Sequence, residues 1–252
     1  MVWFKKRQFF VFLIIAVLAV YSMRLTEFDL SKFRDFENMG DFLSKWFPMN
    51  TDSLPYLFTE SVLTISIAFL GSLFGLIIAL PLSFQAARNT SGHRLIFAAT
   101  RFYLSFLRSV PEFVFGLILL TTLGLGPFPA VIAIVLHNIG VLGKLISELI
   151  EAADKGPMEA MSAVGAKRWI GNLFAILPQI WPNVLSQFFY RFEVAIRTSL
   201  ILGLIGGGGI GQQLFIHFKT FQYQLVSVDV LLIMIMVILV DYIGGKIREK
   251  VI

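Results

Sequence analysis

Several ionisable and polar side chains lie inside or beside long apolar stretches, where they could handle a polar solute. They are Arg108, Ser109, Glu112, His137, Asn138, Arg191, Glu193, Arg197 and Ser199, followed by a glycine-rich stretch containing Gly207 and Gly209. A charge at the bilayer centre costs at least about 2.5–3.5 kcal/mol on insertion scales, so it usually serves a transport path or pairs with another charge. Arginine also matches phosphate-like oxyanions with paired hydrogen bonds. These residues are therefore candidates for a translocation pathway or its gate.

The charges among these candidates allow two interpretations. Glu193 and Arg197 lie four residues apart with the carboxylate first, so they can pair on one helix. Arg191 and Arg108 would then need a partner such as Glu112, or they would face a water-filled path. In one hypothesis some of these cations line the route of an anionic solute. In the alternative they form a structural network that holds the helices and the gate.

Motifs for catalysis and nucleotide binding are missing from the sequence. The chain has no cysteine, which removes thiol chemistry and cysteine-ligated metal, and its three histidines are far apart in sequence. Gly140–Lys144 lacks the spacing of a P-loop and is followed by leucine. Gly206–Gly211 matches the GxGxxG pattern, but it follows an apolar run rather than a strand. We therefore expect no enzyme activity, no cofactor and no metal site in this chain.

The composition indicates an integral membrane protein. Of 252 residues, 57% are apolar and only 15% are charged, whereas soluble domains carry about 25% charged residues. The net charge is +5, but the basic residues lie between apolar runs, which argues against a nucleic-acid partner. A membrane-crossing helix needs about 20 apolar residues. The apolar runs predict six spans, at residues 8–23, 54–84, 95–123 with a break at Pro111, 128–150, 173–204 and 225–243.

The distribution of basic residues predicts the orientation of these spans. Eleven lysines and arginines fall in residues 1–7, 85–94, 151–172 and the tail after 244, and five fall in the segments on the opposite side. Basic residues concentrate in cytoplasmic loops, so both termini are predicted to be cytoplasmic. The first run lacks a small-x-small cleavage site and is predicted to be a retained anchor. Residues 24–53 carry aromatic residues, including Phe33 and Phe42, at near-helical spacing, which favours an amphipathic segment in the outer interface.

A short segment between the fourth and fifth apolar runs has the features of a two-turn helix. Pro157 suits the first helical position, Glu159 suits the first turn, and Gly165 is a good stop. Met158 and Met161 share one face of this helix. Flexible thioether side chains exposed on a short helix would make an adaptable docking surface.

Together with the residues that follow, this segment resembles the EAA signature of permease subunits of type I ABC importers. The signature has Glu-Ala-Ala, a glycine six residues after the glutamate, and a Leu-Pro that ends nineteen residues after it. The matching residues are Glu159, Ala160, Gly165, Leu177 and Pro178. Met161 and Ala175 depart from the pattern. The literal Glu151-Ala152-Ala153 lacks both the glycine and the Leu-Pro, so it is interpreted as the end of the fourth span.

The resemblance implies an all-α integral membrane protein with about six transmembrane helices, arranged as a MetI-like type I ABC importer permease bundle. Residues 1–54 would form an N-terminal anchor helix and a periplasmic interfacial segment, and residues 55–252 the permease domain. Residues 157–165 would be the cytoplasmic coupling helix, within a coupling loop at 151–172. The residues implied to couple to the ATPase are Met158, Glu159, Ala160, Met161, Ala163, Gly165, Leu177 and Pro178.

The same resemblance implies the location and the partners. The chain would lie in a bacterial inner membrane as a homodimer, with two separate subunits that bind ATP and Mg²⁺ and one extracytoplasmic substrate-binding protein. Residues 108–112, 137–144 and 191–211 resemble phosphonate-uptake permeases, so the implied cargo is a phosphonate-type oxyanion such as phosphonate, phosphite or phosphate. Another cargo such as methionine, or an ion-coupled carrier without an ATPase, remains an alternative. Methionine permeases share Arg-Ser-x-Pro and the late glycine run, but they resemble this chain less around Arg191–Arg197.

The six glycines in residues 203–211 predict an irregular backbone near the membrane. Non-helical backbone at membrane depth is tolerated only where it is buried in protein or lines a cavity. We therefore expect a broken helix or a re-entrant turn on the outer side of the membrane. The alternative is a flexible outer loop.

Overall fold

The computed structural model describes residues 6–31 and 36–251, and all the regular structure in them is helical. The helices are α1 Lys6–Leu25, α2 Phe36–Ser44, α3 Leu54–Ala86, α4 Arg94–Ser109, α5 Glu112–Leu123, α6 Pro127–Ala152, α7 Gly156–Ala163, α8 Arg168–Gly171, α9 Leu177–Leu202, α10 Gly209–Lys219 and α11 Tyr223–Val251. Two π-helical segments, Asn172–Ile176 and Gly203–Gly207, flank α9. The chain divides into two compact units, residues 1–45 and 46–252.

The first unit contains a helix long enough to cross a membrane. The stretch Gln8–Leu25 of α1 has a mean hydropathy of 2.0, and α1 has 20 residues. At 1.5 Å per residue it is about 30 Å long, the thickness of a bilayer core. The short helix α2 presents exposed Phe42 and Leu43, as expected for an amphipathic segment. Phe33, which belongs to the same predicted segment, lies outside the described residues.

In the second unit, α3 and α6 run side by side in the same direction. A Cβ on Gly71 would stand 2.7 Å from the Cβ of Ile134, and a Cβ on Gly75 would stand 2.6 Å from the Cβ of Asn138. Both contacts join residues 63 positions apart. Moving four residues along α3 therefore also moves four residues forward along α6, so the two helices are parallel. Small residues four apart allow two helix backbones to approach this closely.

Because α3 and α6 are parallel, the chain between them must return to the end where α3 began. Helices α4 and α5 make this return as a bent pair with an angle of 84° between them. The break is at Pro111, as predicted, because a proline disfavours a helical residue before it and Val110 is extended. Before the break, Leu104 packs at Gly143 and Arg108 at Gly140, so α4 lies antiparallel to α6.

Helices α9 and α10 form a second bent pair, with an angle of 55° at the glycine-rich stretch. Gly206 has φ of 102°, a left-handed conformation that strains residues with a Cβ. Gly203, Gly207, Gly209 and Gly211 are buried. The predicted broken helix is therefore confirmed, and the alternative of a flexible exposed loop is wrong.

The number of spans agrees with the six apolar runs of the sequence. Among the described residues, four helices are long and apolar enough to cross a membrane singly, and there are up to six spans if each bent pair is one span. Helix α11 returns along α9, because Glu193 lies against Gly244. The buried core includes Ile134, Ile196 and Leu202 in one cluster and Leu142, Ile146 and Val184 in another.

Candidate coupling and translocation site

The segment between α6 and α9 forms the short helix that the sequence predicts. Helix α7 has a proline in its first turn, and Gly165 follows it with φ of 76°. The backbone N–H of Gly165 donates to the carbonyl of Ser162 at 3.0 Å, and that of Ala166 donates to the carbonyl of Met161 at 3.0 Å. These two bonds close the helix in the pattern that favours glycine at the left-handed position.

The two methionines of α7 are only partly exposed. Met158 and Met161 are half-buried, and the Met158 sulfur lies 2.5 Å from the point where a Cβ on Gly171 would stand. The Met158 thioether therefore partly fills the gap left by the missing side chain of Gly171, and both methionines remain partly exposed. The fully exposed residues of α7 and of the position after it include Glu159, Ala160, Ser162, Ala163 and Val164.

Two polar contacts tie this segment to the rest of the second unit. The backbone N–H of Asp154 donates to Gln179 Oε1 at 3.0 Å, and Gln179 Nε2 donates back to the carbonyl of Asp154 at 3.3 Å. In the second contact, Asn89 Nδ2 donates to the carbonyl of Ile150 at 2.7 Å, and Arg168 Nη2 donates to the carbonyl of Asn89 at 3.3 Å. Gln179 and Asn89 were not apparent from the sequence, because isolated amides carry no spacing signal.

The Leu-Pro of the signature forms the first turn of α9. Leu177 donates its backbone N–H to the carbonyl of Asn172, five residues back, which closes the π-helical segment. Pro178 has no N–H to donate and cannot continue an ordinary helical ladder from the preceding residues. The distortion therefore lies where the segment carrying α7 and α8 joins the long helix α9. Leu177 itself packs against buried apolar residues and is not part of the exposed face of α7.

Four of the candidate pathway residues meet in one polar network beside the α4–α5 break. Arg191 donates through Nε to Asn138 Oδ1 at 2.8 Å and through Nη2 to Glu112 Oε1 at 3.3 Å. The same carboxylate oxygen accepts from Thr198 Oγ1 at 3.2 Å, and His137 Nε2 lies 3.7 Å from it. Arg191 and Asn138 are buried. The guanidinium charge is therefore compensated inside the chain, as the structural interpretation of these residues requires.

The predicted pair of Glu193 with Arg197 on one helix is wrong. Glu193 is buried and pairs with Arg248, whereas Arg197 Nη2 contacts Asp241 Oδ2 at 2.6 Å. Both partners lie on α11, which packs beside α9. Arg248 on α11 faces Glu193, and Asp241 on α11 faces Arg197. These partners were not predicted from the sequence, although Asp241 is a carboxylate near the end of an apolar run.

Arg108 and Ser109 stand apart from this network. Both residues are exposed at the end of α4. Ser109 Oγ donates to the carbonyl of Phe106 at 2.8 Å, which is an ordinary contact within a helix. Arg108 makes no ion pair with any of the described residues.

The remaining candidates form the junction between α3, α9 and α10. Ser199 Oγ donates to the carbonyl of Thr64 at 3.4 Å, and Thr64 Oγ1 accepts the backbone N–H of Ile210 at 3.0 Å. A Cβ on Gly209 would stand 2.3 Å from Thr64 Oγ1, and a Cβ on Gly207 would stand 2.8 Å from a carbonyl oxygen of α9. These residues hold the broken helix together. Thr64, which caps the first turn of α10 from a neighbouring helix, was not apparent from the sequence.

A separate buried pair joins α10 to α11. His217 Nδ1 lies 2.7 Å from Asp229 Oδ2, and Asp229 is fully buried. Within the described part of the chain there is no group of three or more side chains that could hold a metal ion. In the sequence His217 is an isolated histidine, since its carboxylate partner is twelve residues away.

The long helices, the two bent pairs and the short helix at one end define a multi-pass membrane permease. A family model described as "binding-protein-dependent transport system inner membrane component" matches residues 71–251. The chain belongs to this family, which comprises the permease components of ABC transporters. It is therefore an inner-membrane transport subunit and not an enzyme, as predicted.

Comparison with individual proteins gives the same family. Over 186 residues the chain is 39% identical to the phosphite transport system permease protein PtxC of Stutzerimonas stutzeri, covering 74% of this chain and 68% of that protein. It is 34% identical to the phosphate-import permease protein PhnE of Mycolicibacterium smegmatis, covering 86% of this chain but less than half, 41%, of that protein. A solved structure of the MetNI methionine ABC transporter has the same fold, with a TM-score of 0.69 at 18% identity, covering 81% of this chain and 100% of that one. The MetI-like bundle predicted from the sequence is confirmed.

Proposed function

We propose that this chain is the permease subunit of an ATP-driven importer of phosphonate-type oxyanions, a class that includes phosphonate, phosphite and phosphate. The observation that carries the cargo is the 39% identity to a phosphite permease, supported by the 34% identity to a phosphate-import permease. The three anions share a tetrahedral phosphorus with charged oxygens, so one path can serve the class.

The complete importer would contain two copies of this chain, two ATPase subunits that bind ATP and Mg²⁺, and one extracytoplasmic binding protein. The family description supports dependence on a binding protein. Helix α7 would dock on the ATPase through its exposed face around Glu159, Ala160 and Ala163, and Gly165 would fix the end of that face. The partly exposed Met158 and Met161 would add thioether contacts at the edge of this face, and Met158 would also brace α7 against Gly171.

The contacts behind α7 offer a route by which a movement of the ATPase reaches the membrane helices. A displacement of α7 would pull on α9 through the two hydrogen bonds of Gln179 with Asp154. It would also pull on the loop after α3 through Arg168 and Asn89. Helix α9 continues into the glycine-rich break, so its movement would reach the opposite end of the unit. The translocation path would then open alternately to the two sides of the membrane.

In this proposal the end of the second unit that carries α7 is cytoplasmic. The loop after α3 and the end of α6 lie at that same end, because Asn89 bonds to Ile150. Both stretches belong to the loops in which basic residues are concentrated, which supports the assignment. The N- and C-termini would then be cytoplasmic, and the glycine-rich break would lie towards the binding protein.

The test is to reconstitute the chain with its ATPase and its binding protein in lipid nanodiscs and to measure ATP hydrolysis. We expect phosphonate, phosphite or phosphate to stimulate hydrolysis only when the loaded binding protein is present. Stimulation by methionine and not by the three oxyanions would contradict the cargo. Purification of an active carrier that never associates with an ATPase would contradict the whole proposal.

A further inference from the structure

Apart from Arg108, the basic residues within the membrane-spanning helices of the second unit either pair with a carboxylate or lie near the end of a span. Five pair with a carboxylate among the described residues: Arg101 with Glu151, Lys144 with Glu148, Arg191 with Glu112, Arg197 with Asp241, and Arg248 with Glu193. The others are Arg94, Lys219, Lys246 and Lys250. Arg108 has no such partner in that part of the chain, and it is exposed. Its charge therefore needs water or an opposite charge that the described residues do not supply.

The backbone of Arg108 lies beside the middle of α6, a helix long enough and apolar enough to cross a membrane. Its backbone nitrogen lies 2.5 Å from the point where a Cβ on Gly140 would stand. Helix α6 runs from Pro127 to Ala152, so Gly140 is at its centre, roughly 18–20 Å from either end at 1.5 Å per residue. A lone arginine at this depth is costly in lipid, at least about 2.5–3.5 kcal/mol, unless it faces water or another charge.

The exposed surface of α4 is divided into an apolar side and a polar side. With about 100° between successive residues, Leu95, Phe102 and Phe106 fall within about 40° of one another. Arg101, Ser105 and Arg108 fall within about 60° of one another on a different side of the helix. All of these residues are exposed except Arg101, which is half-buried. The apolar side suits lipid, whereas the polar side suits a water-filled space.

We propose that Arg108 lines the water-filled translocation path and binds the negative charge of the transported oxyanion. Arg191 does not serve this purpose, because its Nε and Nη2 groups are already bonded to Asn138 and Glu112. The free guanidinium of Arg108 presents the planar set of donors that pairs with two oxygens of a phosphonate-type group. The identity of the anion rests on the proposed function, but the exposure of Arg108 to water does not.

The first experiment tests exposure to water. The chain has no native cysteine, so Arg108→Cys gives a single reactive site, and Phe102→Cys on the apolar side is the matched control. In the assembled importer in nanodiscs, the membrane-impermeant anionic reagent MTSES should modify Arg108→Cys at least about tenfold faster than Phe102→Cys, because thiolates form in water and not in lipid. Equal rates would overturn the proposal, as would a disulfide between the two copies at position 108.

The second experiment tests binding of the anion in proteoliposomes that contain the complete importer. Arg108→Gln should lower oxyanion uptake by about 10- to 100-fold, the equivalent of one hydrogen bond to a charged group. Arg108→Lys should keep most of the uptake, and co-purification of both variants with the ATPase subunit shows that the complex is assembled. Unchanged uptake in Arg108→Gln would overturn the proposal. If the wild-type importer carries none of the three oxyanions, the proposed cargo fails, and the labelling experiment still decides whether Arg108 faces water.

Discussion

Replacement of Gly140 by alanine tests the close packing of α4 against α6. The geometry of the α4–α5 break depends on this contact. A Cβ at position 140 would stand 2.5 Å from the backbone nitrogen of Arg108 and 2.9 Å from the carbonyl carbon of Leu107. Both atoms belong to the backbone, so no rotation of a side chain can relieve the clash. Ordinary contact begins at 3.4 Å, so α4 must move away by about 0.9 Å.

The expected cost follows from comparison with a glycine that has open space around it. A Cβ on Gly245, in α11, would have no closer neighbour than an Arg248 nitrogen at 4.0 Å. Both Gly→Ala changes contribute the same helix propensity, about 1 kcal/mol, so this contribution cancels between them. The remaining overpacking should make Gly140→Ala less stable than Gly245→Ala by about 1–3 kcal/mol. Gly143→Ala should fall between them, because its close neighbours are the side-chain methyl groups of Leu104, which can rotate.

The assay is reversible unfolding of the three variants in mixed micelles with increasing SDS, followed by circular dichroism. Gly140→Ala should unfold at the lowest SDS fraction and Gly245→Ala at the highest. If Gly140→Ala were as stable as Gly245→Ala, α4 would not pack against α6 at Gly140. The position of Arg108 beside the middle of α6 would then be wrong as well.

Three further predictions concern single residues. Arg248→Ala should destabilise the chain by about 3–5 kcal/mol in the same assay, because it leaves buried Glu193 without its partner, and adding Glu193→Gln should restore part of that loss. Phe221→Gly should raise stability by about 1–2 kcal/mol, since Phe221 has φ of 59° just after α10, where a side chain is strained; an unchanged midpoint would contradict this. Gly165→Ala should lower the uptake per ATP hydrolysed, because the strain loosens the end of α7, whereas Gly92→Ala, in open space, should not change that ratio.

The local features of the fold could be predicted from the sequence. Pro111 breaks a span, Gly165 ends a short helix, and the glycines of residues 203–211 break another helix. Each of these effects depends on the backbone preferences of the residue itself. The EAA spacing likewise needs no knowledge of neighbouring helices, so it identified the family before any contact was known.

The partners of charged and polar residues could not be predicted in the same way. Glu193 has a suitably spaced arginine on its own helix, yet it pairs with Arg248 on α11. Met158 has the spacing of a solvent-facing residue, but its thioether also packs into the gap over Gly171. In both cases the outcome depends on which helix passes alongside and at what height, and a single sequence does not record this packing.

Uptake by proteoliposomes tests the central claim most directly. Vesicles containing the chain and its ATPase are loaded with ATP and Mg²⁺, and the binding protein is added outside with phosphonate, phosphite or phosphate. We predict accumulation of at least one of these anions that requires ATP, the ATPase subunit and the binding protein together. Accumulation driven by an ion gradient in vesicles that contain the chain alone would contradict the account.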